Sequence, residues 1–551
     1  MAFCPVCEKA VAEPPMKLSF IRLSRVPARC AGMFGANRLA LLTIGLMAAT
    51  LLVGTAVPVY IDELMYRIMH ERLFFEGGKL ITPYPQCPRS FVADVPVTLM
   101  PGAAMLALLY PHQGILGMRL MGVGGALLWF AVLWAWLAPL RLEKEKRIML
   151  YAALVAIQMM GVFPFLLVLT RPEQLMMLCI AFFVLAPLRL SGRRLLPLCY
   201  MLAIPLFFFL HASALYFLPL VIGSIFLALG KRHPAIPAAI GVFALSASWQ
   251  SYHSIVRALT WCSEVPKLME MFGKATLPLP LLGSDPLQFF ARGVHNALHA
   301  MPAITHHIHI SASYQSDWLP PATRAFPAML ADLLNAAIDA FWLTAAAALA
   351  GILLVRLAAA LKGKAPDASL WLAFALALSL FMHGFHYNRF HFTSVGLIIP
   401  CLIMLALLLL PATLNRIANS RGGRRAATAC MALAIVSLCT VAFSVGPGLA
   451  RNAAVYQVTI ANQHNSYQTF LAARKHRKID ALAKRCAIDA EPRDLVLDDT
   501  SYPVFRNAPR PMYATYVNPN FMGFALKDRL REFLLERNSS GYIGKCDYLA
   551  P

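Results

Sequence analysis

Eleven apolar runs of about 20 residues, all but the short run 174–189 long enough to cross a bilayer as one helix, constrain this chain more than any other feature. They fall near residues 39–59, 115–139, 148–169, 174–189, 195–211, 213–230, 235–256, 333–355, 370–386, 394–411 and 427–447. A chain built this way has no room for a water-soluble core. Only 14% of its 551 residues are charged, against about 25% in soluble domains. The expected fold is therefore an all-α polytopic membrane protein with about 11 transmembrane helices. The run from Val95 to Tyr110 is also apolar but is broken by Pro96 and Pro101, and is expected to form an interfacial or re-entrant helix.

Basic residues fix the expected orientation. The net charge of +22 (49 basic against 27 acidic) is better explained by Lys and Arg in cytoplasmic connections than by nucleic acid. Arg22, Arg25, Arg29 and Arg38 precede the first run, RLEKEKR (141–147) follows the second, and Arg189, Arg193 and Arg194 follow the fourth. Lys231, Arg356 and Arg416 open further basic connections, so every second connection is basic. This alternation predicts three parts. They are a cytoplasmic N-terminal tail (1–38), a membrane domain (39–450) with outer loops 60–95 and 257–330, and a small extracytoplasmic C-terminal domain (451–551). The first helix is expected to stay uncleaved, because no small-residue cleavage site follows a short apolar core. Cys4 and Cys7 form a single CxxC, a weak metal signal without a second pair. Cys87, Cys262, Cys486 and Cys546 fall on the expected outer side, where they could pair or stay free.

Polar residues gather on that same side. Directly after the first run stand two carboxylates, Asp62 and Glu63, followed by an expected short helix, a break at Gly77-Gly78 and an extended Pro-rich piece. A partly desolvated carboxylate at a membrane surface can take a proton from a hydroxyl nucleophile; it can also simply sit in a favourable first helical turn. Thr170-Arg171-Pro172-Glu173 opens the fourth run, with Pro172 at the first helical position and Glu173 in the first turn. Arg171 there can hold a phosphate bidentately or snorkel to head groups. His383, His386, Tyr387, Asn388, Arg389 and His391 crowd the end of the ninth run, more polar groups than a membrane anchor needs. His295 and His299 are four apart and could ligate a metal, but no carboxylate or Cys completes a set. Asp332, Asn335 and Asp339 could face a cavity or water, and His211 reads as an interfacial histidine.

In the order of these parts the chain resembles the GT-C superfamily of membrane glycosyltransferases, which includes the protein O-mannosyltransferases and the lipid A aminoarabinose transferases. The resemblance covers roughly residues 39–230 and is diffuse beyond; it rests on the acidic pair after the first span, GGKLITPY (77–84) and Arg171-Pro172-Glu173, with Tyr387-Asn388-Arg389 as a later outer turn. It implies inverting transfer of a sugar from a polyprenyl-phosphate donor to an envelope lipid, glycan or protein. It also implies that Asp62 is the general base, that Glu63 supports it or replaces it, and that Arg171 and Arg389 receive the leaving phosphate. Glu173, His386 and Tyr387 would complete the donor site. The resemblance fixes no cofactor and leaves a divalent metal open. The alternatives are a transporter or lipid flippase, or a polymerase or ligase of surface polysaccharide.

Overall fold

Proline at the first or second helical position starts many of the helices, where its fixed φ helps and its missing N–H costs nothing. The computed structural model describes residues 38–57, 79–82, 93–96, 115–140, 142–230, 233–260, 276–310, 319, 328–363, 367–387, 392–461, 494–497 and 510–513. The helices in the first half are α1 (Arg38–Val53), α2 (Ile115–Leu137), α3 (Lys144–Ile157), α4 (Phe163–Leu166), α5 (Pro172–Leu185), α6 (Leu196–Leu210), α7 (Leu218–Leu229) and α8 (Ala235–Thr260). The second half adds α9 (Pro280–Ser284), α10 (Pro286–His306), α11 (Ala328–Leu361), α12 (Ala368–His386), α13 (Phe392–Leu409), α14 (Pro411–Asn419) and α15 (Arg421–Ala461).

Seven helices among the described residues are long and apolar enough to cross a membrane, or eight if the pair 394–409 and 413–419, bent by 87°, counts as one span. The chain is an integral membrane protein. Leucines such as Leu42, Leu127, Leu202 and Leu354 point outward from the bundle, as lipid-facing residues do. Seven or eight is fewer than the eleven apolar runs, because several runs do not form one straight helix. Run 148–169 divides into α3 and α4, run 195–211 gives only the 15-residue α6, and α8 is more polar than its run suggests.

One correction concerns the end of an element. Residues 93–96, at the start of the expected interfacial helix, form a strand, β2 (Ala93–Pro96), antiparallel to β1 (Lys79–Thr82) with Leu80 opposite Val95. The extended reading of 77–84 and the strand at 79–82 agree. Helix α15 runs on to Ala461, while the part of it long and apolar enough to cross a membrane ends at Ala450, where the membrane domain was expected to end. Beyond it, among the described residues, lie only β3 (Asp494–Leu497) and β4 (Arg510–Tyr513), a parallel pair. Cys87, Cys262, Cys486 and Cys546 lie outside the described residues, as do Cys4 and Cys7.

The break between α3 and α4 shows how the membrane constrains the backbone. Non-helical peptide groups inside a bilayer must be satisfied by protein. Gly161, at φ +59°, donates its N–H to Ser437 Oγ on α15 at 2.7 Å, and Val162 donates to the Ile308 carbonyl at 3.1 Å. Gln158, where α3 ends, accepts from Trp129 Nε1 at 2.7 Å. A Cβ on Gly161 would stand 1.7 Å from the Ile308 oxygen. Gly161→Ala therefore combines a left-handed backbone with a backbone collision, and is expected to destabilise the fold by about 2–4 kcal/mol. A thermal unfolding midpoint in detergent equal to that of the native chain would contradict this.

Interhelical hydrogen bonds tie the remaining core, which in lipid gains little from apolar burial between helices. Tyr200 on α6 lies 2.6 Å from Ser224 Oγ on α7, and that hydroxyl donates to the Phe183 carbonyl on α5 at 2.5 Å. Helix α12 begins at Asp367, which accepts from Leu370 N at 2.8 Å and pairs with Arg356 at 3.1 Å. It ends at His386, so a polar group marks each end of one span.

Candidate functional site

The site lies at the His386 end of the bundle and is built on a glycine-shaped approach in α2 and a proline-started helix, α5. In α2, Gly122 and Gly125 leave no side chain in the way of residues 168 and 174; a Cβ on Gly122 would meet the Val168 carbonyl oxygen at 1.9 Å. This close approach lets Gln174 donate to the carbonyls of Gly122 (2.7 Å) and Leu167 (2.6 Å). The segment 166–174 is thereby pressed into the bundle rather than left at its surface.

Arg171 sits in that segment as the residue capping α5, extended at φ −112° and ψ 160°, with Pro172 starting the helix. Its guanidinium makes a two-pronged pair with Glu173, Nε to Oε2 and Nη2 to Oε1, both at 3.1 Å. Both residues are only 6% exposed. Two charges this deep persist because each satisfies the other, and because a carboxylate in the first turn meets the positive end of the helix dipole. Together with Gln174, Met177 and Gly396 they line a small cavity.

Histidines and tyrosines surround the pair. His211, between α6 and the following turn, caps that turn by accepting from Ser213 N at 3.2 Å, and it interacts electrostatically with Glu173. His383 is 2% exposed and interacts with His211, His386 and Glu173. The Tyr216 ring meets His383 edge-on at 5.2 Å, and its hydroxyl lies 2.5 Å from His386 Nδ1. The Tyr387 ring lies 5.5 Å from that of His383. A strand-like contact fixes the end of α12: Leu277 N donates to the His386 carbonyl at 2.8 Å, and Thr276 bridges to Tyr387. Tyr216, His383, His386 and Tyr387 are thus linked by ring contacts and one hydrogen bond, and the Glu173 carboxylate of the Arg171 pair lies within electrostatic range of His211 and His383. Asp62, Glu63 and Arg389 lie outside the described residues.

Arg119 is the residue that sequence reasoning missed. It is fully buried near the start of α2, donating from Nε to the Val57 carbonyl at 2.9 Å and from Nη1 to the Val168 carbonyl at 3.4 Å. It joins the end of the first span to the segment that carries Arg171. The signal was available, since Arg119 is the single charged residue in the run 115–139, and a charge inside a span is a functional candidate by default. Tyr216 carried no comparable signal.

The remaining polar candidates have structural partners. Asp339 Oδ1 accepts from His309 Nε2 at 2.8 Å, and Asn335 Oδ1 accepts from Ile310 N at 2.9 Å, so both hold the segment after α10. Asp332 is exposed. His295 and His299 stack at 4.0 Å between ring centroids, with His299 Nδ1 2.8 Å from the His295 carbonyl oxygen. Among the described residues, no group of three His, Cys, Asp or Glu is placed to hold a metal ion.

Tyr216→Phe removes one partly buried hydrogen bond and leaves the ring packing. It is expected to cost about 1 kcal/mol, read as a lower thermal midpoint, and no loss at all would mean that the Tyr216–His386 contact is not made.

No family model matches this chain, and neither a curated protein nor a solved structure matches it. What the protein does has to be argued from the chemistry of this polar group.

Proposed function

We propose that the protein is an inverting membrane glycosyltransferase of GT-C type that moves a sugar from a polyprenyl-phosphate donor to an envelope acceptor. One observation carries the reading most directly. Arg119 holds Val57 and Val168 together, so the chain that leads to Asp62 starts beside the chain that leads to Arg171. Asp62 is five residues past Val57, within a reach of about 17 Å. A proton acceptor and a buried ion pair can therefore share one mouth of the bundle.

In this reading Asp62 takes the proton of the acceptor hydroxyl. The oxygen forms its bond to the anomeric carbon from the face opposite the phosphate. The carbon–oxygen bond to phosphate breaks, and polyprenyl phosphate departs with the bonding electrons. Fixed cations near the leaving oxygens favour that charge as it develops; Arg389 and Arg171 are assigned this role, with Glu173 holding the Arg171 guanidinium in place. His386 and Tyr387 shape the sugar side. Glu63 supports Asp62. The His386 end would face away from the cytoplasm, in a bacterial inner membrane the periplasm, with the N-terminus inside. The basic end of the bundle, with Arg356, Lys146 and Arg416, would be cytoplasmic.

A second reading, a transporter or lipid flippase, draws on a specific observation. The span at 148–169 is broken at Gly161, and charged groups are buried inside the bundle, both features of substrate pathways. Mass spectrometry of envelope glycans and lipids from cells with and without the gene separates the two. Loss of a singly attached sugar supports the transferase. Loss of long chains alone points to a polymerase or ligase, and an unmodified envelope with impaired uptake points to the transporter.

A further inference from the structure

Helix α10 presents three chemically different sides as it turns every 3.6 or so residues. One side, Phe289, Gly293, Ala300 and Ile304, is buried. It packs against the last turn of α12, where the Phe385 ring fills the space a Cβ on Gly293 would take, at 2.0 Å, and Asn296 Nδ2 donates to the Phe385 carbonyl at 3.2 Å. A second side is apolar yet exposed: Leu287 (82%), Phe290 (54%), Val294 (46%) and Leu298 (72%). The third carries Gln288, Arg292, His295 and His299, all exposed, and no acidic residue lies between Pro286 and His306.

We infer that α10 lies in the plane of the membrane interface, its leucine side in the acyl chains and its Arg292–His299 side against the phosphates of anionic lipid. The end of a membrane span is where such a helix belongs, and the packing on Phe385 holds it there. Its apolar side is also continuous with the surface of the span. Phe290 lies 6.1 Å from Phe385, and Phe385 lies 5.7 Å from Phe381, which is itself exposed on α12. A protein docked on α10 alone would leave half of this surface uncovered; lipid covers both halves at once. A cationic side next to an apolar one is the pattern of helices that bind anionic bilayers. The inference stands apart from the enzymatic reading.

Photo-crosslinking tests it. The full chain, with p-benzoylphenylalanine introduced in turn at Val294, Leu298, Gln288 and His299, is placed in nanodiscs of phosphatidylcholine and phosphatidylglycerol and irradiated. All four positions are exposed, so folding is preserved. Positions 294 and 298 are expected to give about tenfold more acyl-chain adduct than 288 and 299, because the apolar face of such a helix reaches ~5–10 Å into the acyl boundary. Arg292→Gln in the Leu298 variant should reduce the enrichment of phosphatidylglycerol among the adducts about fivefold. Equal acyl adducts at all four positions, or adducts to a second copy of the chain at 294 and 298, would overturn the orientation. Unchanged phosphatidylglycerol enrichment would overturn the headgroup contact.

Discussion

Replacing Arg171 with leucine is expected to cost roughly 3–5 kcal/mol of stability, the largest loss that any single side chain in the described bundle should produce. The reason is what remains. Glu173 would keep a carboxylate at 6% exposure with its two-pronged partner gone, and His211 alone cannot replace two hydrogen bonds of 3.1 Å. Removing both charges is a different experiment. Arg171→Leu combined with Glu173→Leu takes away the desolvated charge along with its partner, and the double variant should regain much of the loss. Thermal midpoints of the two singles and the double, measured in the same detergent, form a cycle. A strong coupling between the sites is expected; simple additivity would mean that the pair is not buried as described.

Asp62→Asn has the largest expected effect on activity. The amide keeps the shape of the side chain but cannot take a proton, so sugar transfer should fall about 10²–10⁴-fold while the folded yield stays unchanged. Glu63→Gln should be milder, since that carboxylate has only a supporting role in the proposed reaction. Native-level transfer by Asp62→Asn with full loss in Glu63→Gln would move the base one residue along the chain.

The membrane class could be read from the chain directly, because a run of apolar residues long enough to span has few other uses. The geometry of the spans could not. Run 148–169 counts as one span by composition, but its break at Gly161 depends on a hydroxyl from Ser437 and a carbonyl from Ile308, hundreds and more than a hundred residues away in sequence. Hydropathy averages over such contacts. The same distinction holds at the site. Arg171 and Glu173 are two residues apart, and their types suggest an ion pair at a helix start. Their approach to His211 and His383 comes from how α5, α6 and α12 pack, which no local pattern records. Arg119 is the intermediate case, since a lone charge in an apolar run announces itself, but not what it binds. The short strand at 93–96 was hidden by an apolar composition that suits a helix and a strand equally well.

In the proposed reaction a hydroxyl proton is taken at the mouth of the first span while a lipid phosphate leaves. The most direct measurement uses the purified chain in vesicles loaded with a radiolabelled polyprenyl-phosphate sugar and a crude envelope acceptor, and follows the label. The native chain should transfer label to the acceptor and release polyprenyl phosphate in equal amounts, and Asp62→Asn should do neither. Transfer that persists in Asp62→Asn, or label that crosses the bilayer still attached to its lipid, would contradict it.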